Sequence, residues 1–178
     1  MAARARHDEK PHPDARNIVA AYVGPTHDAE TLVPAVDTLR ALWPSATLRL
    51  LWPMDVSCPH ALGNRVHGRI AYPMPQEVRD AATRVEETVR RIAAVEARVA
   101  LVFAATGYEP YFPAYLCYLA GVPYRAAFSA EFGGGVLSSA FPPPARDGTA
   151  RHLELVCAAR GLLEEAQRTE QRSDRCDV

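Results

Sequence analysis

NIVAAYVGPTHDAETLVPAVDTLRALWPSATLRLL, residues 17–51, is the stretch whose reading decides the fold. Asn17 to Val23 is near-continuously apolar, the pattern of a strand buried on both faces within a parallel sheet. A polar turn containing Asp28 follows. Leu32, Val33, Val36, Leu39 and Trp43 then recur at helical spacing, while Asp37 and Arg40 point elsewhere. Pro44 closes the helix, and Thr47 to Trp52 reads as a second strand. Pro34 is poorly tolerated deep inside a helix, so the regular helix begins only shortly before it and the turn ahead is irregular. Ligands of such sheets sit beyond the carboxyl ends of the strands, which is where this turn places Asp28.

The same alternation continues along the chain. Apolar runs rich in Val, Ile and Leu recur at Arg69 to Tyr72, Val99 to Ala104 and Tyr124 to Phe128, separated by helical patterns. Val78, Val85, Val89, Ile92 and Val95 make one apolar stripe, with Arg79, Glu86, Glu87 and Arg90 on its wet face. Tyr111 to Ala120 is apolar nearly all round and ends at Gly121, as a buried helix would. His152 to Leu163 supplies a last helix with Leu153, Val156, Cys157 and Leu163 as its stripe. The expectation is an α/β fold: a single Rossmann-like domain over residues 17–163, a mainly parallel sheet with helices on both faces. Residues 1–16 and 164–178 are polar and charged and read as frayed or disordered tails.

The chain has 178 residues, within the range of one domain, with 48% apolar and 23% charged side chains. Twenty basic against 21 acidic residues leave a net charge of −1, which gives no reason to expect nucleic acid or an anionic membrane as partner. Lys10 is the single Lys; the Arg residues form no run. No apolar stretch is long enough to span a bilayer, and MAARARHDEKPHPDAR has no apolar middle like that of a signal peptide, so a cytoplasmic location is expected. Cys58, Cys117, Cys157 and Cys176 are widely spaced, without a C-x-x-C pair, and no two His residues have the spacing of a metal pair. Neither a metal site nor a cofactor is expected. Cys117 and Cys157 lie in apolar helical patterns and read as small buried hydrophobes.

Three segments in order carry a resemblance. Asp28 to Pro34, followed by a helix, a Trp-Pro and a strand, is similar to the opening motif of glycosyltransferase family 9, the bacterial heptosyltransferases: a Gly-Asp turn, a Pro six residues on, and a Leu-rich helix. YFPAYLCYLAGVPYRAAFSAEFGGGVLSS resembles that family's small-residue helix ending in Ala-Gly, its strand bearing an Arg and its Gly-rich stretch. FPPPARDGTARHLELVCAARGL resembles its Pro-rich connection into a His-headed helix. The resemblance implies the N-terminal, acceptor-binding domain of a two-domain GT-B enzyme, half of a GT-B fold, with Asp28 as the general base that takes the acceptor's proton during inverting transfer. It also implies a sugar or glycoconjugate acceptor. A separate donor-binding chain is the expected partner, because nothing after Leu163 could form the nucleotide-sugar domain.

Alternatives stand beside each candidate residue. Asp28 also suits an N-terminal helix carboxylate stabilised by the dipole. His27 stands where the family has Gly; it is either a second acid–base group or a surface turn residue. Thr26, Thr106, Tyr108, Glu109 and Tyr111 fall on the same sheet edge as Asp28 and could contact an acceptor through hydroxyls and ring faces, or form an exposed loop over the core. Gly133 and Gly134, in EFGGGVLSS, either line the acceptor pocket or form a flexible connection; the segment lacks the G-x-G-x-x-G spacing and the Walker Lys. Asp55 and His60 could reach the same cleft or cap loops. The competing functions are a transferase subunit completed by a donor-binding chain, a non-catalytic glycan- or partner-binding regulatory domain, and a small hydrolase or nucleotide-binding protein sharing only the architecture.

Overall fold

A computed structural model describes residues 17–74, 81–131 and 135–161. The chain runs through β1 (Asn17–Val23), a 3₁₀ helix (Thr26–Leu32), α1 (Val33–Leu42), β2 (Thr47–Pro53), a single turn α2 (His60–Gly63), β3 (Gly68–Tyr72) and α3 (Ala81–Ala93). It continues through β4 (Val99–Ala104), α4 (Tyr111–Leu119), β5 (Tyr124–Phe128) and β6 (Ser139–Phe141), and closes with α5 over residues 148–161. The six strands form one sheet in the order β3-β2-β1-β4-β5-β6, and every neighbouring pair is parallel. This is the expected α/β architecture.

Strand alternation divides the core into two layers. Ile18, Ala20 and Tyr22 of β1 face one side with Leu50, Trp52, Leu101 and Phe103, against Leu32, Val36 and Leu39 of the α1 segment and Leu155, Val156 and Ala159 of α5. Val19, Ala21 and Val23 face the other side with Leu51, Ala100 and Val102, against Ile92 of α3 and Leu116 and Cys117 of α4. Both faces of β1 and β4 are thus covered, which is why these strands read as unbroken apolar runs. The irregular turn ahead of Pro34 is the 3₁₀ helix, and Pro34 sits in the first turn of α1, where its missing N–H breaks no helical bond. Gly121 ends α4 with φ of 77°: its N–H bonds Tyr118 O at 3.0 Å and Val122 N–H bonds Cys117 O at 3.0 Å, a Schellman closure.

Two expectations need correction, one strand is unforeseen, and several positions lie outside the described residues. α4 is not buried all round; Tyr115, Tyr118 and Leu119 are exposed, the two Tyr rings stacked at 6.4 Å. Cys157 is exposed rather than buried, because α5 turns His152, Leu155, Val156 and Ala159 inward and leaves Leu153 only partly covered. β6 was not anticipated: three residues ahead of a run of Pro are too short to register as a periodic strand. The tails 1–16 and 164–178, together with Val78, Arg79, Gly133, Gly134, Leu163 and Cys176, lie outside the described residues.

Candidate functional site

β1 and β4 are neighbours whose following segments leave on opposite faces. After β1 the chain crosses by α1 toward β2, and after β4 it crosses by α4 toward β5. At such a point of reversal the two connections diverge and open a crevice at the carboxyl edge of the sheet. Here it is a cavity of about 450 Å³ lined by Asp28, Thr31, Ala105, Thr106, Asp147, Gly148 and His152. That volume lies in the range of small-molecule sites.

Gly24 lets the chain leave β1 tightly over the next strand. A Cβ at that position would stand 2.6 Å from both the Cβ of Ala105 and the hydroxyl oxygen of Tyr22. Pro25 precedes the 3₁₀ helix and accepts the Tyr22 hydroxyl proton at 2.9 Å and the Asp28 N–H at 3.2 Å. Asp28 occupies the first turn of that helix, its main-chain oxygen accepting from the Thr31 hydroxyl at 2.5 Å; its side chain is half-buried, and the residue lines the cavity. Burial first, then the charges of Asp28 and Tyr108, drive the Tyr22 phenol well above its ordinary pKa, so it stays a neutral donor.

α5 supplies the opposite wall. Asp147, just ahead of it, accepts the Thr106 hydroxyl proton at 2.5 Å, and Arg151 Nε donates to Ala104 O at the end of β4 at 3.2 Å. These two contacts bring His152 beneath the cavity. Its ring meets the edges of Phe103 and Tyr22 at centroid distances of 5.6 and 6.4 Å, nearly perpendicular to each, and only 2% of the residue is exposed. Its Nε2 is buried without a hydrogen-bond partner among the described residues. Burial, followed by the Arg151 charge, pushes its pKa down to about 4 despite the opposing charge of Asp28. The imidazole is therefore neutral at neutral pH.

The structure brings Asp28 and Thr106 to one cavity and spreads the other candidates around it. His27 is 80% exposed, with Nε2 3.7 Å from Asp28 Oδ1. Thr26, Tyr108 and Glu109 are exposed on the same edge. Tyr111 bonds Ser129 at 2.6 Å beyond β5. Asp55 and His60 line two separate hollows beside β2 and β3, the first with Ser57 and Arg69, the second with Asn64 and Cys58. Among the described residues no cluster of His, Cys, Asp or Glu side chains could hold a metal ion, and no helix is long and apolar enough to cross a membrane. His152, Asp147, Gly148 and Thr31 were not named as site residues from the sequence, although His152 heads the helix in the third segment of the resemblance. The available signal was the spacing of His152 from Leu155, Val156 and Ala159, at i+3, i+4 and i+7, which marks a buried helix face.

Neither a family model nor a curated protein matches the chain. Solved structures do. Heptosyltransferase II of E. coli, an ADP-heptose lipopolysaccharide heptosyltransferase, superposes with a TM-score of 0.59 at 18% identity over 79% of this chain and 40% of its own. A glycosyltransferase of family 9 from Veillonella parvula gives 0.65 at 12% identity, over 80% and 41%. E. coli heptosyltransferase WaaC with ADP-2-deoxy-2-fluoro heptose gives 0.64 at 10% identity, over 82% and 48%. The chain thus spans less than half the length of these proteins and has the fold of one Rossmann-like half of a GT-B enzyme.

Proposed function

We propose that this chain is the acceptor-binding half of a family 9-like glycosyltransferase, corresponding to the N-terminal domain, with Asp28 as the general base. The observation that carries the reading is the placement of Asp28: it lines, together with Thr106, a cavity at the reversal point of a parallel sheet. In inverting transfer an acceptor hydroxyl attacks the anomeric carbon as the nucleotide leaves, and its proton passes to a carboxylate within hydrogen-bond reach. Asp28 is stationed for that step on a short helix pinned to β1 through Pro25. Thr106 and Asp147 offer hydroxyl and carboxylate partners to a sugar, and the rings of Tyr108 and Tyr111 lie on the same edge. The nucleotide-sugar would be held by a second, donor-binding chain. The names of the neighbouring structures put a heptose-containing oligosaccharide released from lipopolysaccharide first among acceptor probes.

The test is a transfer assay on the chain together with whatever donor-binding protein co-purifies with it from its native cell. Transfer that requires both components, and that falls ~10²- to 10⁴-fold in Asp28→Asn, supports the reading. Equal transfer by Asp28→Asn would remove Asp28 as base. Oligosaccharide binding without transfer by any captured partner would instead favour a non-catalytic glycan-binding domain.

A further inference from the structure

Among the described residues that line the cavity, His152 carries a buried ring nitrogen, Nε2, with no hydrogen-bond partner. It lies 2% exposed against the cavity that Asp28 lines. Leaving a buried ring nitrogen unpaired is costly, and folded proteins seldom tolerate it without a use. Nor is the ring loosely held: the edges of Phe103 and Tyr22 fix it from two strands, and the neighbouring Arg151 is anchored on Ala104 O and lies over the Phe128 ring at 5.4 Å.

The surroundings select the ligand chemistry. Two carboxylates, Asp28 and Asp147, line the cavity, so an anionic group is repelled there. Burial keeps the imidazole neutral, so it offers no compensating charge. A neutral imidazole nitrogen is either a donor or an acceptor according to its tautomer, and a hydroxyl satisfies both cases. We propose that His152 is a ligand-binding residue of this cavity, pairing through Nε2 with a hydroxyl of the same carbohydrate that presents its reacting hydroxyl to Asp28. This assignment rests on the carbohydrate reading above and adds to it a residue that selects for a hydroxyl at one position.

The experiment is nitrogen-15 NMR of the full chain, labelled at its histidines and backbone amides and titrated with the lipopolysaccharide-derived oligosaccharide. The expected result is that the His152 Nε2 resonance moves and saturates together with the amides of Asp28 and Thr106. His152→Phe, which keeps a ring between Phe103 and Tyr22, should weaken binding roughly 5- to 100-fold, the range for one buried polar group left unpaired. His152→Gln should regain most of that loss. Saturation of the Asp28 and Thr106 amides while Nε2 stays still would overturn the assignment without touching the carbohydrate reading, and needs no variant to fold. Unchanged affinity in a folded His152→Phe would do the same. If no cavity amide responds, the carbohydrate reading falls and this assignment with it. Inorganic phosphate is the control: an Nε2 shift with phosphate alone would contradict a hydroxyl ligand.

Discussion

At the residue scale, space and charge around the β1 exit decide what each position tolerates. Gly24→Ala would drive a methyl into Ala105 and the Tyr22 hydroxyl, so stability should fall by about 1–3 kcal/mol, as for overpacking elsewhere in protein cores, and chemical denaturation measures it. Asp28→Asn behaves differently. The residue is half-exposed in the first turn of its helix, and no side-chain capping bond closes that end, so Asn should leave stability within about 0.5 kcal/mol while removing proton acceptance. His27→Gly separates the neighbours: with an exposed ring 3.7 Å from the carboxylate, transfer should be unchanged or improved, and a large loss would move the acid–base role to His27. Asp28 was legible in the sequence because the strand, turn and helix around it are local features. His152 was not, since its meaning depends on α5 folding back across β1 and β4, a contact remote in the chain.

At the scale of elements, the end of the sheet beyond β5 depends on one side chain. The buried Arg125 guanidinium donates to Pro123 O at 2.9 Å, Val136 O at 2.6 Å and Gly135 O at 3.1 Å, bonds Val122 O as well, and lies under the Tyr118 ring at 5.1 Å. Arg125→Met keeps the stem but strands these carbonyls, so it should cost about 2–4 kcal/mol. Hydrogen exchange should show β6 opening first. A uniform loss of protection over the whole sheet would contradict this local role. Strands β1 and β4 were readable to the residue because burial on both faces makes them near-continuously apolar, and β5 because its apolar run is broken only by Arg125, whereas β6 escaped notice because one Arg and a parallel pairing with β5 hold it, not its own composition. The exposed Tyr115 and Tyr118 show the reverse failure: an apolar helix pattern reports composition, not cover.

At the scale of the whole molecule, His152 couples the cavity to folding. Its pKa is lowered from an ordinary 6.5 to about 4, so between those values the unfolded chain binds a proton that the folded chain does not. Its contribution is fully present above pH 6.5, is lost as the pH falls toward 4, and changes no further below that. The loss amounts to about 3 kcal/mol by linkage. Urea denaturation of the native protein and His152→Phe across pH 4–7 should give curves whose difference has this slope; parallel curves would show that the imidazole is not held neutral.

The central claim is that the cavity between β1, β4 and α5 holds a carbohydrate acceptor. The most direct measurement is a backbone amide map of the full chain with the lipopolysaccharide-derived oligosaccharide, and separately with ADP-heptose. The account predicts saturable shifts at Asp28, Thr31, Thr106 and Gly148 with the oligosaccharide, and no tight binding of the nucleotide-sugar to this chain alone. Shifts confined to the hollows beside β2 and β3, or micromolar binding of ADP-heptose at the cavity, would contradict it.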